Sequence, residues 1–182
     1  WLHGVCGPLL YSVPVSEMIE RGFLHRPVIR FVRYETPPLD ATVRGHAIYR
    51  EGIVECEARN KAIAQESLRY SREGSLVLVD ASRVAHVRRL LQAVKGYFPG
   101  NQVASLVGAV DIGERERILK AWVDRKIKVV IATVLGEGID VPELEVVINA
   151  EGGKGDLQRM RCLTPHPAKK QAVVVELVDV HH

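Results

Sequence analysis

A loop between two apolar runs is the first place in this sequence where chemistry could occur. Residues 129–150 read VVIATVLGEGIDVPELEVVINA. Gly136 and Gly138 allow positive φ or a close approach of the backbone to a ligand. Asp140 could accept hydrogen bonds from a sugar hydroxyl or an arginine, and Thr133 could bind a phosphate oxygen through its hydroxyl and its backbone N–H. A turn in which Asp140 caps local amides explains the same residues, so the pattern alone leaves both interpretations open.

Ser82 and Arg83 are a second candidate pair, at the start of a predicted helix. A serine N-cap followed by a cation leaves the positive end of the helix free to meet a phosphate, although an ordinary N-cap has the same pattern. The next helix differs, because Asp111 and Glu114 already have the spacing of a capping box. An anion contact there would fall to the backbone of Gly108 upstream.

The stretch QRMRCLTPHPAKK, residues 158–170, concentrates the basic residues Arg159, Arg161, Lys169 and Lys170. A solvated basic face is the ordinary interpretation. A phosphate site is the sharper one, because arginine offers planar, permanently charged donors. The sequence contains no Ser/His/Asp arrangement, no paired-carboxylate signature and no metal-ligand spacing. It also lacks GxxxxGK[ST], so it has no nucleotide phosphate cradle of the Walker type.

The elements that must position these residues alternate between strand and helix. The predicted strands are SLVLVD (75–80), QVASLVG (102–108), IKVVIAT, ELEVVINA and QAVVVELV, and helices are predicted over 83–95 and 112–124. Such alternation predicts an α/β fold with a parallel sheet and right-handed crossovers. Ligands gather at the carboxyl ends of the strands in these folds. Residues 80–83, 107–108 and 133–142 are therefore expected on one edge of the sheet.

The remaining predicted elements carry few candidate site residues. A short helix over 14–23 is expected to have Ser16 as its cap and Gly22 as its stop, and residues 26–35 read as a strand. Residues 41–73 read as a helix in two pieces, and another helix is expected around 156–163. His86 is expected on the buried or rim side of its helix, satisfied by a neighbour and without a chemical role.

Composition limits the class of protein. The chain has 182 residues, 47% of them hydrophobic, and a net charge of +3, which permits nucleic-acid binding without requiring it. No apolar run is long enough for a membrane span, and the start has no signal-peptide pattern. Three separated cysteines favour a reducing compartment, so a cytoplasmic protein is expected, or a nuclear one in a eukaryote. The start at Trp1 suggests a fragment, and we interpret His181 and His182 as the remnant of a tag.

Taken in order, these segments resemble the second RecA-like domain of superfamily 2 helicases and translocases, particularly the DNA-directed, XPB-like branch. The resemblance covers roughly residues 7–179. ATVLGEGIDVPELEVVI resembles motif V, the most specific match, and SLVLVDASRVAHVRRLL is similar to motif IV with its helix. LVGAVDIGERERILKAW is similar to the segment that usually reads histidine-glycine at the strand end, with Val107 in place of the histidine. QRMRCLTPHPAKKQAVVVELVD resembles motif VI and the closing strand.

The resemblance implies a RecA-like parallel sheet with helices on both faces, the fold of a helicase C-terminal domain. Residues 41–180 would form this domain, residues 1–40 a connecting segment with the short helix and strand, and 181–182 the tag remnant. Contacts to the backbone of a nucleic-acid strand would come from Ser82, Arg83, Gly108 and Thr133. By position, Gly138 and Asp140 would face the interdomain ATP cleft, and Gln158 and Arg161 would act on the triphosphate.

Motif VI departs from the family pattern, which is Gln, two residues, Gly, Arg, two residues, Arg. Gln158 matches, and Arg161 matches the first arginine if the glycine is treated as deleted, but Thr164 stands where the last arginine belongs. An arginine finger can contribute ~10³–10⁵ in rate, so losing one of two argues against efficient hydrolysis. Either the motif is degenerate or a few residues are missing from the short linker GGKGDLQ.

The leading hypothesis is the C-terminal motor domain of an ATP-dependent DNA helicase or translocase. ATP, with Mg²⁺, would be held mainly by a missing N-terminal RecA-like domain with the Walker motifs, and DNA would be contacted through its backbone. This chain alone should neither hydrolyse ATP nor unwind DNA. The alternative is a non-catalytic nucleic-acid-binding or interaction domain with a degenerate motif VI. A Rossmann-like small-molecule enzyme is a weaker third hypothesis, because no GxGxxG is present.

Overall fold

The computed structural model describes residues 11–36, 39, 42–133, 141–152 and 160–180. Within these ranges six strands form one sheet in the order β1-β6-β5-β2-β4-β3, and every neighbouring pair is parallel. The strands are β1 (Pro27–Tyr34), β2 (Val77–Asp80), β3 (Val103–Leu106), β4 (Val129–Ala132), β5 (Val146–Asn149) and β6 (Ala172–Asp179). The predicted parallel α/β sheet is confirmed.

The helices alternate with these strands. They are α1 (Val15–Glu20), α2 (His46–Tyr49), α3 (Glu57–Arg72), α4 (Val84–Lys95) and α5 (Ile112–Val123). A π-helical turn over Arg50–Val54 continues α2, so the helix expected over 41–73 does form in two pieces. The helix expected around 156–163 is a 3₁₀ helix over Met160–Leu163 in the described part of the chain, and residues 153–159 lie outside it.

The core lies on both faces of the sheet. On one face α3 and α4 contribute side chains such as Ile63 and Leu90, which pack against Val77 and Val79. On the other face α5 and the 3₁₀ helix pack Trp122 and Leu163 against alternate strand residues. Burying each large apolar side chain contributes about 1.5–3 kcal/mol. Helices on both faces explain why the central strands read as continuous apolar runs and not as alternating ones.

The helix starts agree only in part with the capping predictions. Asp111 caps α5 as predicted, because its Oδ1 accepts a hydrogen bond from the Glu114 N–H at 3.0 Å. Ser16 is not the cap of α1, since Pro14 occupies that position in an extended conformation and Ser16 lies inside the first turn. Gly22 does end this segment, with φ of +77°. Proline suits a helix start because it lacks an N–H, and the N–H groups at a helix start have no intrahelical partner.

The first strand belongs to the same sheet as the rest of the chain. β1 pairs with β6 over its full length, from Pro27↔Ala172 to Tyr34↔Asp179. The Arg30 guanidinium also bonds the Glu66 carboxylate of α3 at 3.1 Å. The boundary near residue 40 stays a prediction, while residues 27–34 form an outermost strand of the described sheet.

In the described part of the chain, no helix has the length and apolar character needed to cross a membrane.

Candidate functional site

The carboxyl ends of four adjacent strands lie level with one another. Asp80 of β2 is in register with Ala132 of β4 and Asn149 of β5, and Ala132 is in register with Leu106 of β3. The chain leaves the sheet directly after these residues. Ser82, Arg83, Gly108 and Thr133 therefore lie on loops at one edge of the sheet, which is the placement that the sequence predicts.

Ser82 and Arg83 are held by an aromatic residue that the sequence did not point to. The Ser82 Oγ lies 2.7 Å from the Tyr49 Oη, and the Arg83 guanidinium carbon lies 5.0 Å from the centre of the Tyr49 ring. The prediction that Ser82 caps α4 is wrong, because Arg83 occupies the N-cap position with φ −127° and ψ 134°. Ser82 lies one residue outside the helix, so its hydroxyl bonds Tyr49 instead.

The start of α4 is consequently open. None of the described side chains caps this 12-residue helix, and Arg83 is exposed. The first N–H groups of a helix have no intrahelical partner, and the helix dipole places partial positive charge there. A cation–π contact with Tyr49 restrains the Arg83 side chain beside these groups. Donors and a positive charge thus lie together in a form suited to an anion.

Gly108 and Thr133 differ in what they offer a ligand. Gly108 is exposed, and among the described residues no atom lies within 4 Å of a Cβ built there, so the fold itself does not require glycine. The Thr133 N–H donates to the Leu106 carbonyl at 3.1 Å. The expectation that this N–H would bind phosphate is therefore wrong, since the sheet already uses it. Of the two Thr133 groups predicted to bind phosphate, the hydroxyl is the one that this sheet bond does not use.

Three predicted site residues lie outside the described residues, namely Gly138, Asp140 and Gln158. Their assignment to an ATP cleft stays a prediction. Arg161 is half-buried in the 3₁₀ helix, next to Cys162 and Leu163 in the core. Burial raises the pKa of the Cys162 thiol to about 11, so this cysteine is a packing residue at neutral pH.

Lys169 does not belong to a basic surface. It is 7% exposed, and its Nζ donates to the carbonyl oxygens of Cys162 at 3.0 Å and Thr164 at 2.5 Å. Both sequence interpretations, a solvated face and a phosphate site, are wrong for this residue. The reason is that the chain folds back after the 3₁₀ helix, so the ammonium satisfies the carbonyls that the short helix leaves exposed.

Arg59 of α3 is a residue that the sequence reasoning missed. It is 2% exposed, and it donates to the carbonyl oxygens of Asn149 at 3.4 Å and Ala150 at 3.3 Å. It also donates to the Tyr34 hydroxyl at 3.1 Å. Arg59 thereby holds the carboxyl end of β5, the strand that leads toward Arg161. Nothing in the local pattern distinguishes Arg59 from a surface arginine, so no sequence signal could have found it.

His86 is fully buried, in agreement with its predicted place on the buried or rim side of its helix, and a neighbour satisfies one of its nitrogens. Its Nε2 is 3.0 Å from the Asn60 Oδ1. Because the Asn60 Nδ2 donates to the Val54 carbonyl at 3.0 Å, the Asn60 Oδ1 must accept, and the proton of the neutral ring is on Nε2. Burial, together with the positive charges of Arg59 and Arg89, lowers the pKa of His86 to about 4.

The parallel sheet, the helices on both faces and the edge loops form a RecA-like α/β domain, the fold expected of a helicase C-terminal domain. Residues 58–161 match the model of the helicase conserved C-terminal domain, and the chain belongs to that family. A comparison with curated proteins gives no match. Among the described residues, no group of three or more His, Cys, Asp or Glu side chains could hold a metal ion.

Solved structures share the fold at low sequence identity. The crystal structure of T4 UvsW has a TM-score of 0.66 at 22% identity, covering 84% of this chain and 32% of UvsW. The Sulfolobus solfataricus SWI2/SNF2 ATPase core in complex with dsDNA has a TM-score of 0.56 at 15% identity, covering 85% and 41%. Mss116p DEAD-box helicase domain 2 bound to an RNA duplex has a TM-score of 0.53 at 14% identity, covering 67% and 50%. This chain thus spans a third to a half of these relatives.

Proposed function

We propose that this domain is the C-terminal motor domain of an ATP-dependent DNA helicase or translocase. It would bind the backbone of one nucleic-acid strand and complete an ATP site with a first RecA-like domain. The observation that carries the proposal is that β2, β3 and β4 end in register at their carboxyl ends. The loops that follow these ends are neighbours, and they carry Ser82, Arg83, Gly108 and Thr133. The dsDNA-bound and RNA-bound relatives of the same fold support a nucleic-acid ligand.

The chemistry of the edge suits phosphate groups. The Arg83 guanidinium, the open N-terminus of α4 and the hydroxyls of Ser82 and Thr133 are donors to phosphate oxygens, and Gly108 lets a backbone approach closely. Such contacts fix the position of a strand without reading its bases. The expected binding is therefore dependent on salt and tolerant of sequence, as a motor that moves along many sequences requires.

The ATP site would be shared between two domains. ATP and Mg²⁺ would be held mainly by the first domain, and when bound the nucleotide would supply the phosphoryl group whose transfer powers the motor. From this chain, Gly138, Asp140 and Gln158 are assigned to the cleft by their motif positions. Arg161 would donate to the phosphoryl oxygens as negative charge develops. Arg59 supports this arrangement, since it holds the end of β5 from which the chain continues toward Arg161.

A second candidate is a non-catalytic nucleic-acid-binding domain. Thr164 occupies the position of the second arginine of motif VI. Lys169, the nearest buried cation along the chain, is already engaged by the carbonyl oxygens of Cys162 and Thr164 and so does not replace that arginine. The edge loops would then still bind nucleic acid, while hydrolysis would be lost.

Joining the chain to its natural N-terminal domain and measuring DNA-stimulated ATPase activity separates the two candidates. A motor domain predicts activity that Arg161→Ala lowers by ~10³-fold or more. The control is Arg72→Ala, because Arg72 is exposed at the end of α3 near the amino end of β2. Absence of activity in the intact protein would favour the non-catalytic domain. ATPase activity of the 182-residue chain alone would contradict the shared site.

A further inference from the structure

A groove of about 640 Å³ runs along the outer side of β3. β3 is the last strand in the order of the described sheet and has β4 on its other side. The groove lies between the two helix layers of the domain. Leu91 of α4 lines it on one side, and Ile118 of α5 lines it on the other. None of the residues assigned to nucleic acid or ATP lines it.

The backbone of β3 presents two residues to this groove. The carbonyl oxygens of Gln102 and Leu106 accept hydrogen bonds from β4, from the N–H groups of Lys128 and Thr133 respectively. Because backbone groups of successive strand residues point alternately to opposite sides, Ala104 also faces β4. Val103 and Ser105 then direct their N–H and C=O groups away from β4. Such a row is a template for another strand.

The walls of the groove add apolar contact and positive charge. Leu91, Val110, Ile118 and Ile127 supply the apolar part, and Lys95 and Lys126 supply charge. Arg117 and Glu114 also line the groove, but they form an ion pair with each other. Lys126 approaches Asp124 only to 3.8 Å, at a side-chain exposure of 76%, so that contact is weak. The groove as a whole is basic.

We infer that the β3 groove binds an extended acidic peptide segment of a partner protein, which adds a strand to the sheet. Main-chain hydrogen bonds to Val103 and Ser105 would supply affinity, and the apolar walls would accept alternate side chains. Lys95 and Lys126 would select acidic residues in the peptide. A nucleic acid fits less well, since it does not match alternating backbone donors and acceptors. Pairing of β3 with a second copy would bring two basic grooves together and is disfavoured by repulsion.

Amide hydrogen exchange of the ¹⁵N-labelled 182-residue chain tests the inference. The probe is an octapeptide that alternates valine and glutamate, and its control alternates valine and lysine. Saturation with the acidic peptide is expected to slow exchange of the Val103 and Ser105 amides at least tenfold and to leave Ala104 unchanged. Ser105→Pro is expected to weaken binding at least tenfold, because proline removes an outward N–H that an edge strand does not need for folding.

The charge of the groove is tested by the double variant Lys95→Glu/Lys126→Glu. This variant is expected to bind the acidic peptide at least tenfold more weakly and to gain binding of the lysine peptide. Lys61→Glu, at an exposed position of α3, should change neither. If circular dichroism shows that Ser105→Pro does not fold, the lysine variants decide. Equal binding of both peptides, no protection of Val103 and Ser105, displacement by oligothymidylate, or self-association through β3 would each overturn the inference.

Discussion

At the scale of single residues, the buried Arg59 joins α3 to the carboxyl end of β5 and also affects the charge of His86. The partners that the structure shows for Arg59 are two carbonyl oxygens and a hydroxyl. The Nη1 and Nη2 groups of this buried cation donate to these partners, whereas its Nε has no hydrogen-bond partner among the described residues. Because unpaired buried donors are costly, the geometry of the β5 end and that of Arg59 depend on each other. Burial of the ring, together with the same positive charge, disfavours a proton on His86, which keeps that ring neutral.

Replacing His86 with glutamine is expected to flatten the dependence of stability on pH. The pKa of His86 is about 4 in the folded chain, below its ordinary value of 6.5, so the unfolded chain takes up a proton first as the pH falls. Stability is then unaffected by His86 above about pH 6.5 and is lost progressively toward pH 4. The loss is about 2 kcal/mol at pH 5 and about 3 kcal/mol at pH 4.

Urea unfolding at pH 7 and pH 5 measures this effect. His86→Gln keeps an amide that can donate to Asn60 but does not titrate, so its loss of stability between the two pH values should be smaller by about 2 kcal/mol. His46→Gln is the control, because His46 is exposed and is expected to leave the dependence unchanged. An unaltered pH dependence in His86→Gln would contradict the assignment.

At the scale of elements, the loop after β5 is fixed against the π turn. Gly152 has φ of +73°, and a Cβ there would lie 2.6 Å from the Ile53 Cδ1. Gly108, after β3, has neither constraint among the described residues. The two glycines therefore have different reasons to be glycine, one steric and one, under the proposed function, the approach of a ligand.

Alanine at these two glycines separates folding from binding. Gly152→Ala is expected to destabilise the chain by about 1–3 kcal/mol, because positive φ and the clash both oppose a Cβ. Gly108→Ala is expected to change stability by less than about 0.5 kcal/mol while weakening DNA binding. Denaturant unfolding and fluorescence anisotropy with labelled DNA measure the two effects. A stability loss for Gly108→Ala as large as that for Gly152→Ala would be inconsistent with this structure.

Ser82 and Asp111, which the sequence both predicted as helix caps, make a second matched pair at this scale. Asp111→Ala removes the side chain that bonds the Glu114 N–H of α5, and this is expected to destabilise the chain by about 1 kcal/mol. Ser82→Ala should have little effect on stability, because Ser82 lies outside α4 and its hydroxyl bonds the partly exposed Tyr49. Thermal unfolding compares them. An equal loss in both variants would indicate that Ser82 does cap α4.

At the scale of the whole molecule, the carboxyl edge of the sheet and the β3 groove are separate surfaces. The edge carries Ser82, Arg83 and Thr133 on loops between strands and helices, and the groove lies along the side of the outermost described strand. In a parallel sheet the ligand loops follow the carboxyl ends of the strands. The outermost strand has unpaired backbone groups along its side, which are available for another contact. Under the two proposals, nucleic acid and a partner peptide would bind to different surfaces of the domain.

Under the proposed function, the charge of the edge predicts how DNA binding depends on salt and on sequence. Affinity should fall steeply between 50 and 200 mM salt with little preference among base sequences, because the proposed contacts are to phosphates. Arg83→Ala should weaken binding equally for all sequences and reduce the slope of log K against log salt by about 1. Arg72→Ala is the control on the far side of the sheet. Fluorescence anisotropy decides, and binding that is sequence-specific and independent of salt would contradict the proposal.

The predictions that succeeded depend on local patterns. Continuous apolar runs in β2, β4 and β5 indicate strands covered on both faces, and the Asp111–Glu114 spacing is read within one helical turn. Placing Ser82, Gly108 and Thr133 on one edge needed only the rule that parallel strands end together. The motif order carried the family, which the match over residues 58–161 shows.

What the sequence by itself determined is the alternation of elements, the parallel sheet and the edge that bears the site, since hydrophobic periodicity and turn residues act over a few positions. Only the tertiary structure decided which groups are free to act. It joined Ser82 to Tyr49 across 33 positions and Arg59 to Asn149 across 90. It also used the Thr133 N–H within the sheet and buried Lys169. Hydrogen-bond partners that are distant along the chain leave no local pattern, so their pairing depends on the packing of the complete core.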